Sequence, residues 1–366
     1  MRAFWLFNHP APYKIALFSC LAKHIDLTVF IERDQEGGRN EAFYDEVAKD
    51  AKIIIGHPLK LGSFNSYSRE PVNYLKARPD FDLIIINGWS TFTEQKTIDY
   101  CKKKHIPYVF AINGGIIKEK EGRFSYALKR KYISGAAHYL CPDERSKQYL
   151  IHYGADESKI ALYPYGSFWK KELLLEPVSK SEKEKLRAKF NLEGKRNYVS
   201  SGFFIKRKNF ECLLELWKYM GPEDHLYLIG EGPLRSAYAR FIEDNKLTRV
   251  HLLPYMKHTE LFKFYRACDA FLFPTHEDIY GHVVPEALSQ GLPVFSSSNA
   301  NASWHFIKNG ENGAIVDFSN PQSVVEALRS FHYDSCAMFC SDSVKYNCYE
   351  ESAKALDALF EQFLRG

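Results

Sequence analysis

Side chains that could bind sugar hydroxyls and backbone that could bind an anion occur together in the stretch T-H-E-D-I-Y-G-H-V-V-P-E. It contains two adjacent acids, Glu277 and Asp278, and Gly281, which allows a ligand to approach the backbone closely. Pro285 suits the first position of a helix, whose unpaired amide groups attract an anion. Glu286 follows in the first turn, where it could accept hydrogen bonds from hydroxyl groups. A diphosphate joined to a sugar and a ribose would suit this arrangement.

A plain crossover between two strands of a parallel sheet is the alternative interpretation of this stretch. In that case Glu277 and Asp278 are solvated loop charges, and Glu286 only complements the partial positive charge of a helix start. This alternative accounts for each residue taken singly. The combination of acids, glycine and helix start favours a binding site.

An apolar strand and a helix must hold this loop in place. The run Ala270–Phe273 predicts a buried parallel strand, which Pro274 ends. After Glu286 the helix continues until Gly291, and the residues beyond it lead into the next strand. The loop therefore lies at the carboxyl end of a parallel strand, where ligands bind in α/β proteins.

The longer stretch P-T-H-E-D-I-Y-G-H-V-V-P-E-A-L-S-Q-G-L-P-V resembles the nucleotide-sugar loop of the family-four (GT4) retaining glycosyltransferases, which have the GT-B fold. In that family a first acidic residue lies eight positions before a second Glu. Here the two positions are Asp278 and Glu286, and Glu277 directly precedes the first. The resemblance implies that Asp278 or Glu277 binds the donor sugar and that Glu286 binds the ribose. It covers nearly all of the C-terminal half and, more weakly, the N-terminal half.

Further glycine loops extend the resemblance. The loop G-F-F-I-K-R-K-N, which begins at Gly202, is similar to the one in which the family holds the donor diphosphate with an Arg and a Lys. Lys208 matches the Lys, whereas Phe203 stands in place of the Arg, for which Arg207 is the candidate substitute. The other donor-binding residues that the resemblance implies are Glu231 in G-E-G-P-L-R, Pro254, Tyr255 and Met256 beside the base, and Gly281, His282, Val283 and Val284.

The predicted chemistry is the transfer of a sugar away from a diphosphate, which develops negative charge on the leaving oxygen. Lys208, Arg207 and the amides at the helix start could stabilise that charge by preorganised electrostatics, so neither a metal nor a cofactor is expected. In retaining relatives the leaving phosphate takes the acceptor's proton, so no dedicated base is expected. The predicted catalytic residues are Lys208, Arg207, Asp278 and Glu286. The candidates for the acceptor side are Asn8, His9, Asn113 and Gly114, with a structural role as the alternative for His9.

The chain length predicts two domains, because 366 residues are many for one core. Alternating strands and helices predict an α/β fold, and the first strand lacks the G-x-G-x-x-G fingerprint of a nicotinamide oxidoreductase. The resemblance implies GT-B, with two Rossmann-like doubly wound parallel-sheet domains facing across a cleft. The expected parts are an acceptor domain (1–165), a nucleotide-sugar domain (166–345) and a C-terminal helix (346–366) that packs back on the first domain. A loop and a small hairpin are expected from S-S-S-N-A and then K-N-G-E-N-G-A-I-V-D.

The composition argues against several classes of protein. A net charge of +4 is too small to indicate nucleic-acid binding. Eight cysteines without a C-x-x-C pair do not indicate a disulfide framework and favour a reducing cytosol. No window of 18 apolar residues occurs, and the apolar start is too short for a signal peptide. A cytoplasmic protein is therefore expected.

The basic segment 118–133 is interleaved with aromatic and apolar residues. A surface helix with one buried face is the simpler interpretation. The alternative is a helix that lies on an anionic membrane surface, which would make the protein peripheral on the cytoplasmic face. Many relatives act on lipid-linked acceptors, so both interpretations stay open.

The predicted function is transfer of a sugar, of the hexosyltransferase type, from a nucleotide-sugar donor to a glycan or lipid-linked acceptor. The product would be a cell-surface polysaccharide or glycolipid. The alternative is a nucleotide-sugar-binding scaffold, or an inactive partner subunit of a glycosyltransferase complex. Phe203 in place of the family's Arg, and an Asp at position 278, motivate that alternative.

Overall fold

The computed structural model of the protein describes residues 1–34, 50–61 and 65–365. They form two compact units, one made of residues 1–166 with the C-terminal segment from residue 346, and the other of residues 167–345. Each unit contains a parallel sheet flanked by helices, so the predicted α/β class is confirmed.

A parallel sheet forms the framework of the first unit. The strands described in this unit are β1 (Arg2–Phe7), β2 (Asp26–Ile31), β3 (Lys52–Ile55), β4 (Leu59–Leu61), β5 (Asn65–Tyr67), β6 (Leu83–Asn87), β7 (Val109–Ala111), β8 (His138–Cys141) and β9 (Ile160–Leu162). Seven of them form the sheet in the order β3-β2-β1-β6-β7-β8-β9, and β4 and β5 form a separate antiparallel pair. The inner strands β1 and β6 are buried along nearly their whole length, which explains their continuous apolar sequences.

Helices connect these strands and cover the sheet. The helices described in residues 1–166 are α1 (Pro12–Leu21), α2 (Glu70–Ala77), α3 (Phe92–Lys104), α4 (Arg123–Ile133) and α5 (Glu144–His152). A large apolar core includes Phe4 of β1, Ile86 of β6 and Phe110 of β7. Because all seven strands of the sheet run parallel, their carboxyl ends lie at one edge.

The second unit repeats this plan with a six-stranded parallel sheet. Its strands are β10 (Arg196–Ser201), β11 (Asp224–Ile229), β12 (Val250–Leu253), β13 (Ala270–Phe273), β14 (Val294–Ser296) and β15 (Gly313–Ile315), in the order β12-β11-β10-β13-β14-β15. Its helices are α6 (Lys180–Phe190), α7 (Glu211–Leu216), α8 (Arg235–Asp244), α9 (His258–Ala267), α10 (Val283–Ser289), α11 (Asn301–Phe306), α12 (Pro321–Ser330) and α13 (Cys336–Val344). The predicted strand at Ala270–Phe273 is confirmed and is fully buried.

The C-terminal helix α14 (Tyr349–Arg365) belongs to the first unit. One face of it carries Leu356 and Phe360, which are fully buried. The Phe360 ring meets the Trp5 ring of β1 with centroids 6.2 Å apart, and Phe363 stacks on His138 at 4.1 Å. The apolar stripe of this helix is therefore a packing face.

The hairpin expected near the end of the second unit is wrong. Instead, β15 pairs in parallel with β14, and Gly313 lies opposite Val294. A Cβ atom on Gly313 would come within 1.9 Å of the Val294 carbonyl oxygen, and the φ of Gly313 is +144°. Because glycine lets the backbone lie directly on β14, the segment extends the parallel sheet rather than folding back on itself.

Candidate active site

The loops predicted to bind the donor all leave the carboxyl edge of the second sheet. The loop from Gly202 follows β10, the loop from Gly230 follows β11, Pro254 follows β12 and Thr275 follows β13. β10, β11 and β13 are neighbours in the sheet, with β12 beside β11. The fold thus brings together sequence segments that are far apart along the chain.

Two of these loops pack backbone against backbone. The Phe204 amide donates to the Glu231 carbonyl at 2.7 Å. A Cβ atom on Gly230 would lie 2.0 Å from the Gly202 carbonyl oxygen, and one on Gly232 would lie 2.6 Å from the Phe204 nitrogen. Both glycines have a positive φ, so the G-E-G sequence is needed for this close approach.

Lys208 and Asp278 form an ion pair in the predicted diphosphate and sugar region. Lys208 Nζ donates to Asp278 Oδ2 at 2.5 Å, and each side chain is 14% exposed. Arg207 is 45% exposed, lies 3.7 Å from the same oxygen, and donates to the Glu277 carbonyl at 2.6 Å. Burial alone would raise the pKa of Asp278, but Lys208 and Arg207 outweigh burial and hold this pKa below its usual value.

These contacts distinguish the two adjacent acids. The Asp278 carboxylate faces Lys208, and its other oxygen accepts from the Tyr280 amide at 3.3 Å. Glu277 is bound to Arg207 through its carbonyl rather than its side chain. The geometry therefore favours Asp278 as the acid that lies beside the predicted phosphate-binding Lys208.

Glu286 belongs to a cluster of three titratable groups. His258 lies between two carboxylates, with Nδ1 3.5 Å from Glu172 and Nε2 4.0 Å from Glu286. Burial raises the pKa of Glu286, while the charge of His258 opposes that rise and Glu172 adds to it. The Lys208 charge also acts on Glu286, so the two predicted donor-binding groups share one electrostatic environment. Neither His258 nor Glu172 belongs to a motif, so the sequence gives no signal for their place in this cluster.

The helix after the acidic loop begins earlier than expected. α10 starts at Val283, so Pro285 is its third residue and not its first. The Gly281 backbone, at a φ of +99°, already accepts a hydrogen bond from the Val284 amide at 3.0 Å. The Val284 amide is therefore already hydrogen-bonded at the helix start. Of the residues whose amides were expected to bind the anion, His282 and Val283 precede this first hydrogen bond. The His282 ring contacts Ser167 Oγ at 2.7 Å.

The predicted base-binding residues, Pro254, Tyr255 and Met256, follow β12 directly. Tyr255 is 37% exposed at this edge. Arg235, the last residue of G-E-G-P-L-R, donates to the carbonyls of Gly230 at 3.0 Å and Leu253 at 3.2 Å. This guanidinium fixes the ends of β11 and β12 relative to each other, and so positions both loops.

The predicted acceptor residues lie at the carboxyl edge of the first sheet. Asn8 and His9 follow β1, and Asn113 and Gly114 follow β7. β6 separates these strands, and its last residue, Asn87, donates to Asn113 Oδ1 at 3.3 Å. Asn87 was missed, although a polar residue that ends an apolar strand is a signal that could have found it.

Two buried carboxyl groups lie near the same edge and were also missed. Glu32, directly after β2, accepts from Thr91 Oγ1 at 2.8 Å and from the Ser66 hydroxyl. Glu94 forms a capping box with Thr91, and burial raises the pKa of Glu94 to about 8. The sequence T-F-T-E carries the capping-box signature, so Glu94 could have been found.

Within the basic segment 118–133, only residues 123–133 form the helix α4. Part of the positive charge of the segment is paired within the unit. Lys129 pairs with Glu121 at 2.6 Å and is only 11% exposed. Phe124, by contrast, is 82% exposed, and Arg123 beside it is exposed too. In the part of the chain that the structure describes, no helix is both apolar and long enough to cross a bilayer.

Comparison with known proteins identifies relatives of the second unit. Residues 182–346 match the family model described as "Glycosyl transferases group 1". Among curated proteins, the lipopolysaccharide core biosynthesis glycosyltransferase LpsE of Rhizobium meliloti (strain 1021) is 29% identical over 138 residues. That match covers 37% of this chain and 39% of LpsE, so it spans about two fifths of the relative's length.

Solved structures resemble the chain over its whole length. Anabaena Alr3699/HepE in complex with UDP has a TM-score of 0.69 and 15% identity, covering 100% of this chain and 98% of that one. A glycosyltransferase from Rickettsia africae ESF-5 has a TM-score of 0.76 and 12% identity, covering 100% and 99%. Identities this low show the fold alone, and the predicted GT-B fold with two Rossmann-like units is confirmed.

Proposed function

We propose that the chain moves a sugar from a nucleotide-sugar donor to an acceptor. This proposal is supported by the match of residues 182–346 to the family model of the group 1 glycosyl transferases. The reaction is of the GT4 type, with retention of configuration at the sugar. The acceptor is a glycan or a lipid-linked glycan, and the product belongs to a cell-surface polysaccharide or glycolipid. We place this activity in the cytoplasm.

The observation that carries the proposal is the meeting of Lys208 and Asp278 at the carboxyl edge of the second sheet, within the electrostatic reach of Glu286. These three groups match the needs of a nucleotide sugar. An ammonium binds a diphosphate, and carboxylates accept hydrogen bonds from sugar and ribose hydroxyls. Asp278 and Glu286 come from one local stretch, the loop after β13 and the start of α10. Lys208 comes from the loop after β10, so the fold brings it to the two acids.

Charge stabilisation supplies most of the proposed catalysis. When the bond between the anomeric carbon and the diphosphate breaks, its electron pair goes to the leaving oxygen. Lys208 is held in a largely buried position where its charge is poorly screened, so it can stabilise that oxygen. Arg207, which is more exposed, adds to this stabilisation. No metal takes part in this scheme, and the leaving phosphate accepts the acceptor's proton.

Asp278 has a second role in the same scheme. As a diphosphate binds Lys208, it competes with Asp278 for the ammonium, and the carboxylate becomes available to hydroxyl groups of the donor sugar. The pair thereby keeps Lys208 extended towards the site beforehand, which lowers the entropy cost of binding. Because HepE was solved with UDP, UDP-sugars are the first donors to test.

Peripheral attachment to a membrane is a further part of the proposal. Phe124, at the start of α4, is 82% exposed, and Ile117 nearby in sequence is 42% exposed. Exposed apolar side chains among Lys118, Lys120 and Arg123 suit an anionic surface. The fraction of protein that floats with anionic liposomes should fall for Phe124→Ser. Lys129→Ala is the matched control, because Lys129 is paired with Glu121 and should not contact the membrane.

The test of function is nucleotide release from a panel of UDP-, GDP- and ADP-sugars, with and without glycan and lipid-linked acceptors. The proposal expects turnover with one donor, unaffected by a chelator and lost in Lys208→Ala. Binding of a nucleotide sugar without turnover across the panel would instead support the scaffold alternative, which Phe203 motivates. Turnover that stops with chelator would contradict the metal-independent scheme.

A further inference from the structure

Two imidazole rings and a carboxylate meet near the amino end of the second sheet. His225 and His251 are the second residues of the neighbouring parallel strands β11 and β12. Their rings face each other, with His225 Nδ1 3.0 Å from His251 Nε2. Glu193, in the loop before β10, has a carboxylate oxygen within 4.8 Å of one nitrogen of each ring.

Neighbouring contacts hold these three residues in place. The Tyr227 ring stacks on His251 with centroids 4.7 Å apart, and its hydroxyl accepts from the Glu193 amide at 3.2 Å. A Cβ atom on Gly194 would lie 3.0 Å from the His225 Cβ and 2.7 Å from a backbone oxygen. Glycine at position 194 therefore lets the loop that carries Glu193 lie directly against His225.

We propose that Glu193, His225 and His251 bind a divalent transition-metal ion such as Zn²⁺. Imidazole nitrogens and carboxylate oxygens are ordinary zinc ligands, and two nitrogens at 2.0–2.1 Å from a tetrahedral ion lie about 3.3 Å apart. The observed separation of 3.0 Å needs to open by only a few tenths of an ångström. Glu193 is exposed and can swing in as the third ligand, with water in the fourth position.

The two histidines can bind a metal while both rings stay neutral. Without a metal, the N–H of one facing nitrogen donates a hydrogen bond to the other facing nitrogen. A metal that binds both facing nitrogens takes the place of that proton, which moves to the outer nitrogen of the same ring. Burial lowers the pKa of both histidines, and the unprotonated imidazole is the form that binds a metal.

The charged groups around His225 and His251 also allow a cation to bind there. The positive charge of Arg249 acts on His225, but its guanidinium donates to the carbonyls of Gly221 and Asp224. The carboxylates of Glu193 and Asp224 offset its charge at His225. A bound ion would cross-link the loop before β10 to β11 and β12.

The location separates this site from the proposed transfer reaction. His225 and His251 lie near the amino ends of their strands, whereas the donor loops leave the carboxyl ends of the same strands. The metal would therefore stabilise the second unit and would take no part in sugar transfer. This inference is independent of the proposed function.

The test is titration of chelator-treated, tag-free protein with Zn²⁺ by calorimetry and with Co²⁺ by visible absorption. The proposal predicts one ion per chain at micromolar concentration, with the intense absorption of a four-coordinate Co²⁺ site. His251→Gln and Glu193→Gln should each weaken binding at least tenfold. The matched control is His332→Gln, which removes an exposed histidine elsewhere in the second unit and should leave the affinity unchanged.

Two results would overturn the proposal. One is the absence of Zn²⁺ binding at micromolar concentration, in which case the imidazole contact is a hydrogen bond only. The other is equal binding by the wild type, His251→Gln and Glu193→Gln, which indicates adventitious surface binding. Glu193→Gln changes an exposed side chain, so it keeps the test decisive even if a histidine variant fails to fold.

Discussion

Lys208 and Asp278, 70 positions apart in the chain, bind each other at 2.5 Å in the second unit. The family resemblance implies that Lys208 binds a diphosphate and that either Asp278 or Glu277 binds the donor sugar. The structure shows that the two groups are electrostatic partners as well. Each is largely buried, so each depends on the other for its charge to be tolerated.

Removal of one partner of this pair should therefore destabilise the protein. Lys208→Met should lower the free energy of unfolding by about 2 kcal/mol, because Asp278 keeps only the more distant Arg207. Urea denaturation measures this change. In the double variant Lys208→Met/Asp278→Asn, the loss should be smaller than the sum of the two single losses.

Arg207→Met provides the matched control, since Arg207 is more exposed than Lys208. Its cost should stay below about 1 kcal/mol. Additive single losses in the double variant would show that Lys208 and Asp278 do not stabilise each other in solution.

Donor binding should depend on pH through Glu286. Ribose hydroxyls donate to an ionised carboxylate, and burial raises the pKa of Glu286 above its ordinary value. Nucleotide affinity should therefore fall as the pH decreases through this raised pKa, at a higher pH than for an ordinary Glu. Calorimetric titration with the nucleotide from pH 5 to pH 8 measures the midpoint.

His258 should set the position of that midpoint. Protonated His258 favours ionised Glu286, so His258→Gln should raise the pKa of Glu286 further and move the midpoint to higher pH. Glu286→Gln should weaken binding and abolish this part of the pH dependence. An unchanged midpoint in His258→Gln would remove His258 from the site.

The close packing of the two glycine loops should make Gly232 intolerant of a side chain. Gly232→Ala would place a Cβ atom against the Phe204 backbone at a φ of +148°. We expect a loss of about 3 kcal/mol or more in the free energy of unfolding, with loss of nucleotide binding. Gly310→Ala is the control for backbone strain without a steric clash, because Gly310 has a φ of +85° but open space around it. It should cost only about 1 kcal/mol.

Glu94 should make the stability of the protein depend on pH. Burial raises its pKa to about 8 from an ordinary value of 4.5. The folded protein then binds a proton that the unfolded chain has released, so the contribution of Glu94 is fully present below pH 4.5 and is lost as the pH rises to about 8. The slope in that window is on the order of 1 kcal/mol per pH unit.

Glu94→Gln preserves the capping geometry and cannot ionise. Denaturation at pH 5 and pH 8 should show a flatter pH dependence for this variant than for the wild type. Identical slopes would mean that Glu94 is ionised in the folded protein at neutral pH.

Local patterns allowed much of the fold to be predicted. The sequence predicts β13 correctly because the apolar run is bounded by Pro274. The predicted hairpin failed because a glycine-rich segment is compatible with several pairings. Only the position of β14, to which Gly313 packs, decides between them.

The site was less accessible to sequence reasoning, because its contacts join distant segments. Strand order determines that Asn87 lies beside Asn113, and sequence alone gives no lateral order of strands. His258 reaches Glu286 from α9, outside any motif. Motif spacing identified Asp278 and Glu286, but only packing shows that Lys208 is bound to the first of them.

The central claim is that Lys208, Asp278 and Glu286 share one nucleotide-sugar site. The most direct test is a crystal structure of the protein soaked with UDP or, failing that, GDP or ADP. The account predicts a diphosphate oxygen within hydrogen-bond distance of Lys208 Nζ and the ribose hydroxyls on Glu286. A nucleotide bound elsewhere, with the Lys208–Asp278 pair untouched, would contradict it.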